Sequence, residues 1–138
     1  MTRPLAAAAV LLLLAGCGGS DKAGTSGLKV TGTVTASGAP SAQTVRLGMT
    51  DGLTFTPNVV HAAVGSLALT VENSGSIPHN LVFDDDALGK TDTVKGHATA
   101  TLTVPLTKAG TFRFTCTFHS GMDGEIGRAS CRERVYSN

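Results

Sequence analysis

The chain has no tryptophan, a single tyrosine and charged side chains at only 15% of positions. It has no apolar run of bilayer length: the longest, residues 5–15, covers eleven positions, too few for a spanning helix. After residue 43 nothing sustains a 3.6-residue apolar period over a normal helix length, which argues against a helical fold. A basic face is also missing. The whole 138-residue chain carries a formal charge of +1, but over residues 17–125 seven Lys and Arg stand against nine Asp and Glu, 7 − 9 = −2. Nucleic acid is therefore excluded as a partner on charge grounds. The length suits one domain with accessory segments.

What is present is short alternation at strand period. Residues 44–50 put Val45, Leu47 and Met49 on one side before an Asp51-Gly52 turn, and residues 53–55 resume before Pro57-Asn58. Residues 59–64 and 66–71 are separated by Gly65, with Leu67, Leu69 and Val71 as the inward set of the second run. Residues 98–104 carry Ala100, Leu102 and Val104 on one face, and Pro105 closes that strand. Seven or so such strands predict an all-β fold, a two-sheet Greek-key β-sandwich over residues 44–126. Residues 17–43 are rich in Gly, Ser, Thr and Ala and read as a flexible tether, with weak alternation at 28–35.

The chemistry concentrates in residues 110–122. Phe112, Phe114 and Cys116 share one parity of a strand, so Cys116 arrives facing the core. In Cys116-Thr-Phe-His119-Ser-Gly-Met122 the donors recur every three residues, and a tight loop can wrap them around one point. A fourth donor is His79, which shares an apolar parity with Leu81 and Phe83. Singly, Cys116 is a buried small hydrophobe, His79 a satisfied core histidine and Met122 core filler. Jointly they form a metal site. Two imidazoles, a thiolate and a thioether suit copper over zinc, because soft sulfur favours Cu(I) while imidazole accepts Cu(II).

On these residues the chain resembles the cupredoxins, the small blue-copper proteins that include plastocyanin, pseudoazurin and amicyanin. The spacing Cys-x-x-His-x-x-Met is similar to the short ligand loop of amicyanin, and the run Phe55-Thr-Pro57, Val59-Val60, Gly65, Asn73, His79 is similar to the first half of bacterial plastocyanin-like members. The resemblance implies one type 1 copper held by His79, Cys116, His119 and Met122. It also implies that Asn80 ties the two ligand segments together by a hydrogen bond to the backbone of Thr117; the alternative is an exposed strand Asn. Ser120 stands where the family's commoner loop has Pro.

The N-terminus, with Arg3 before the apolar run, has the form of a secretory signal. Leu14-Ala-Gly-Cys17 resembles the lipobox of bacterial lipoproteins, which implies a signal peptide at 1–16 and lipidation of Cys17; the alternative is an ordinary signal peptide and a free Cys17. At the other end alternation fails after Ile126. Residues 126–138 resemble one reading frame of a widely used short-read sequencing adapter, so 127–138 is expected to be a non-native tail and the final strand to be truncated, leaving a sheet edge open. Cys131 is accordingly counted neither as a ligand nor as a disulfide partner of Cys116.

The functional expectation is a one-electron carrier at the bacterial cell envelope, not an enzyme, since four protein donors leave no open coordination position. It would be a monomer, anchored by lipid to the outer face of the cytoplasmic membrane, exchanging electrons with redox protein partners. The alternative is a module for copper delivery or storage, which would want more Met or His donors. An oxidase fragment would need a second site, and neither a closely spaced Cys pair nor a second His cluster is there. His61 and His97 read as surface residues, and Asp84, Asp85 and Asp86 as a solvated loop or a docking patch for a basic partner.

Overall fold

Burial alternates strictly along the second strand: Gln43, Val45, Leu47 and Met49 are buried while Thr44 and Arg46 are exposed. A pleated strand with that pattern can only lie with one face on a core and the other in water. The structure is a computed structural model that describes residues 27–128. The apolar run at 5–15, Cys17 and residues 129–138 lie outside the described residues.

The nine strands are β1 (Thr33–Thr35), β2 (Gln43–Thr50), β3 (Thr54–Thr56), β4 (Val59–Ala62), β5 (Gly65–Asn73), β6 (Val82–Phe83), β7 (Thr99–Leu106), β8 (Phe112–Thr115) and β9 (Asp123–Arg128). Two 3-10 turns, Pro40–Ala42 and Asp86–Leu88, are the only helical elements among the described residues. One sheet runs β1-β4-β9-β8-β6 and the other β3-β2-β5-β7. Both are mixed, with β1/β4, β4/β9 and β2/β5 parallel. From β5 to β8 the chain crosses between the sheets at each step, the two-layer sandwich that the alternation predicts.

The inner faces meet around Leu47, Met49, Phe55, Leu67, Leu69, Val71, Leu81, Phe114 and Ile126, all at most 1% exposed. Phe114 is the hub. Its ring stands edge-on to Phe55 (centroids 5.0 Å, 83°) and to Phe83 (5.6 Å, 71°), an arrangement worth about 0.5–1.5 kcal/mol per pair beyond burial. Gly124, opposite Phe114 in the register, leaves the room: a Cβ there would run into the Phe114 ring and the Asn58 carbonyl. The ring stack thus fixes β8 two residues before Cys116.

Three expectations need correction. Residues 27–43 are not a tether. Val34 and Ala36 pack on the core and β1 pairs with β4, because the buried amide of Asn58 gathers this segment: Nδ2 donates to the Lys29 and Asp123 carbonyls (2.8 and 3.1 Å) and Oδ1 accepts from Thr31 N–H (2.8 Å). Pro105 does not close its strand, since β7 runs on to Leu106; β7 is a sheet edge, where a missing N–H is tolerated. The final strand is not cut short at Ile126. β9 extends to Arg128 between β4 and β8, paired with Val59 through Ala62 on one side and with Phe112 through Thr115 on the other, so no edge is left open there. Gly127 and Arg128 pair within that strand, opposite His61 and Ala62.

Candidate metal centre

Two segments converge at one end of the sandwich. Cys116 follows the last residue of β8 with the inward parity of Phe114, and is free and 4% exposed. The chain then turns through residues 117–122 and closes on itself: Cys116 N–H donates to the Met122 carbonyl (2.9 Å) and Met122 N–H to the His119 carbonyl (3.4 Å). Gly121 takes φ of +81°, a left-handed conformation that glycine adopts at no steric cost. The loop leaves Met122 fully buried in the core cluster. His79 reaches the same place from a short extended stretch before β6, through a backbone pair with Val94 (3.1 and 2.7 Å), and is 0% exposed.

The donor atoms of His79, Cys116 and His119 all lie within 4.8 Å of one another. Cys116 Sγ and His79 Nδ1 are 3.9 Å apart. Ordinary metal–nitrogen and metal–sulfur bonds of about 2.0 and 2.3 Å sum to about 4.3 Å, so one ion can reach both atoms. The two imidazole rings meet edge to face at 5.0 Å, and His119 Nε2 lies 3.3 Å from the Pro78 carbonyl.

The electrostatics also suit a metal. Burial first, and then the neighbouring His119, hold the His79 pKa below 6.5, opposed by the Thr50 carbonyl and Asp51. A metal ligand must be the neutral imidazole, and this environment keeps it neutral. His79 Nε2 is buried with no hydrogen-bond partner. A buried polar atom left unpaired costs about 1–3 kcal/mol. Such a cost is borne at functional sites more readily than elsewhere in a core.

The sequence matches the cupredoxin-like domain family over residues 5–126. The chain belongs to that family. A plastocyanin from Daucus carota is 36% identical over 94 residues, covering 59% of this chain and 95% of the relative. Among solved structures, auracyanin A, a "blue" copper protein from Chloroflexus aurantiacus, superimposes with a TM-score of 0.57 at 15% identity, covering 64% of this chain and all of the other. The metal-binding domain of the Cu(I)-exporting P-type ATPase CopA from Streptococcus pneumoniae gives 0.60 at 12% identity, covering 73% and 99%. At such identities the two structures speak for the fold alone.

In this cupredoxin Asn80 and Thr117 form a two-bond clasp across the site. Asn80 Oδ1 accepts from Thr117 N–H and Nδ2 donates to Thr117 Oγ1, both at 2.8 Å. The second of these bonds, to the hydroxyl, is an addition to the backbone tie that the resemblance implies. Ser120 and Phe118 are exposed, Phe118 at 49% with its ring 6.4 Å from that of His119. Of the other residues singled out in the sequence, His97 is exposed and His61 half-buried. The acidic run serves its own turn: Asp85 Oδ1 accepts from Ala87 N–H (3.0 Å), and Asp84 N–H donates to the Arg113 carbonyl (3.0 Å).

Sequence reasoning missed two residues. Asn73, given no role of its own, is fully buried, and its amide donates to the Ile77 and Val94 carbonyls (2.8 and 3.1 Å) beneath His79. Asp51, read only as a turn, accepts from Ser76 and Ile77 N–H. The resemblance to the family's first half already ran through Asn73, and that was the available signal.

Proposed function

We propose that the protein binds one copper ion through His79, Cys116, His119 and Met122 and works as a one-electron carrier without catalysis of its own. The observation that carries this is the meeting of a thiol and two imidazoles within 4.8 Å, at a loop that ends in the fully buried Met122. Bound there, copper would supply a Cu(II)/Cu(I) couple, and a donor set that suits both states lets the electron move with little rearrangement.

The residues divide the work. His79 and Cys116, almost without solvent contact, keep water off the metal and leave no position for a substrate. His119 is half-buried beside the exposed Phe118 and Pro78, so a redox protein resting on that surface stands one side chain from the site. Delivery or storage is the lesser reading: exchange would favour accessible donors, and two of the three converging groups are shut away.

The setting belongs to the same proposal. Residues 1–16 act as a lipoprotein signal, Cys17 carries the lipid, and the domain faces outward from the bacterial cytoplasmic membrane. The test of the site is a spectrum. The copper-loaded protein should turn intensely blue when oxidised and bleach on reduction, and Cys116→Ser should abolish the colour. A Ser variant that stays blue would sink the assignment.

A further inference from the structure

The segment that delivers His79, residues 74–78, has no strand of its own, so its position depends on side chains that reach over from neighbouring turns. From below, Asn73 Nδ2 holds the Ile77 carbonyl while its Oδ1 accepts from Gly75 N–H (3.1 Å). Ser74 N–H donates to the Met49 carbonyl (3.0 Å). From the side, the turn after β2 supplies Asp51, whose Oδ1 accepts from both Ser76 N–H (2.8 Å) and Ile77 N–H (2.9 Å), three and two residues before the ligand. The fit is close: a Cβ on Gly75 would run into the Asp51 carboxylate and its backbone nitrogen. The Ile77 N–H holds the Asp51 carboxyl below its ordinary range, with Ser76 N–H, His79 and His97 adding to the effect and desolvation opposing it. Asp51 is therefore an anion at neutral pH, and its field reaches His79.

We propose that Asp51 is a positioning residue for His79: its carboxylate fixes the approach of the ligand loop through the Ser76 and Ile77 amides, and its charge biases a copper held by His79 toward the oxidised state. The inference rests on the copper reading for its second half only. A negative charge near the metal stabilises Cu(II) over Cu(I) by Coulomb attraction, weakened because Asp51 is exposed. The amide contacts exist without metal.

The two halves separate by substitution in the full chain. Asp51→Ala removes acceptor and charge; Asp51→Asn keeps an oxygen acceptor and removes only the charge. In the metal-free protein, Asp51→Ala should speed hydrogen exchange at Ser76 and Ile77 about tenfold and move the His79 ring resonances, while Asp51→Asn stays within about twofold of wild type. Gly75→Ala, which displaces the carboxylate with Asp51 intact, should reproduce the Ala result. In the copper-loaded protein both Asp51 variants should raise the reduction potential, by about threefold in the Cu(II)/Cu(I) ratio or about 28 mV at 59 mV per tenfold.

Wild-type exchange rates and ring shifts in Asp51→Ala would overturn the positioning role, as would an Asn variant that behaves like Ala. An unchanged potential in Asp51→Asn would overturn the electrostatic one. A wild type that takes up copper without turning blue refutes the functional reading instead, and the metal-free exchange then still decides the clamp.

Discussion

The Asn80 clasp gives a number that can be checked before any metal is added. Asn80→Ala deletes two 2.8 Å hydrogen bonds between the segment that brings His79 and the residue after Cys116. Thr117 is exposed, so water can replace both partners and no group is left orphaned. The loss is then only the net value of the bonds, about 1 kcal/mol each and about 1–2 kcal/mol together after allowing for exposure. For a domain of about 100 residues this lowers the apoprotein melting temperature by about 5–10 °C. Thr117→Val removes the hydroxyl bond alone and should cost about half as much. Calorimetry on wild type, the two single variants and the double variant closes a cycle, and the pair should be coupled by about 0.5–1 kcal/mol. With copper the effect grows, because the clasp orients two ligand segments: Asn80→Ala should weaken metal affinity about 10–100-fold. An Asn80→Ala protein that melts with wild type, or a coupling of zero, would refute the claim that this clasp holds the site's two halves together.

Met122→Leu nearly preserves volume in the core and removes only the thioether; the protein should keep copper and colour while its potential moves, and loss of copper on dialysis would count against an axial role. Apoprotein stability should fall as the pH drops below 6.5, because His79 stays neutral when folded while the unfolded chain takes up a proton, so the unfolded state binds more protons in the window between 6.5 and the lowered folded pKa. Urea midpoints compared across that window should slope for wild type and flatten for His79→Gln; equal slopes would remove His79 as the cause. Mass spectrometry of the mature protein from a bacterial envelope should show an N-terminal Cys17 bearing acyl chains, and an unmodified Cys17 would end the lipoprotein proposal.

Strand parity was legible wherever a run was long. In β2 and β5, Val45, Leu47, Leu67, Leu69 and Val71 are buried as alternation requires, and in β8 it aims Phe114 and Cys116 inward. His79 was legible too, although its stretch is a single bridge to Val94 and not a ladder, because one inward-facing residue suffices for a parity argument. What failed depended on partners distant in the chain. β1 has three residues and weak alternation, and its place in the domain rests on partners far along the chain, the Asn58 amide 27 positions from Thr31 and the ladder with β4. Pro105 reads as a stop unless one knows that β7 has a neighbour, β5, on one side only. The hold on the His79 loop by Asp51, 25 positions from Ser76, leaves no local pattern at all.

The placement of β9 governs the order in which the molecule can be assembled. It comes last among the described strands, yet it lies at the middle of its sheet, with β4 and β1 on one flank and β8 and β6 on the other. Without residues 123–128 the β1–β4 pair has no link to the rest of its sheet, and β8 has β6 alone beside it. Inserting β9 unites the two flanks and, through the loop that begins at Cys116 and ends at Met122, draws three of the four proposed ligands into place in the same event. Closure of the sheet and completion of the ligand loop therefore depend on the same pairings, which are distant in sequence and of the kind that form slowly.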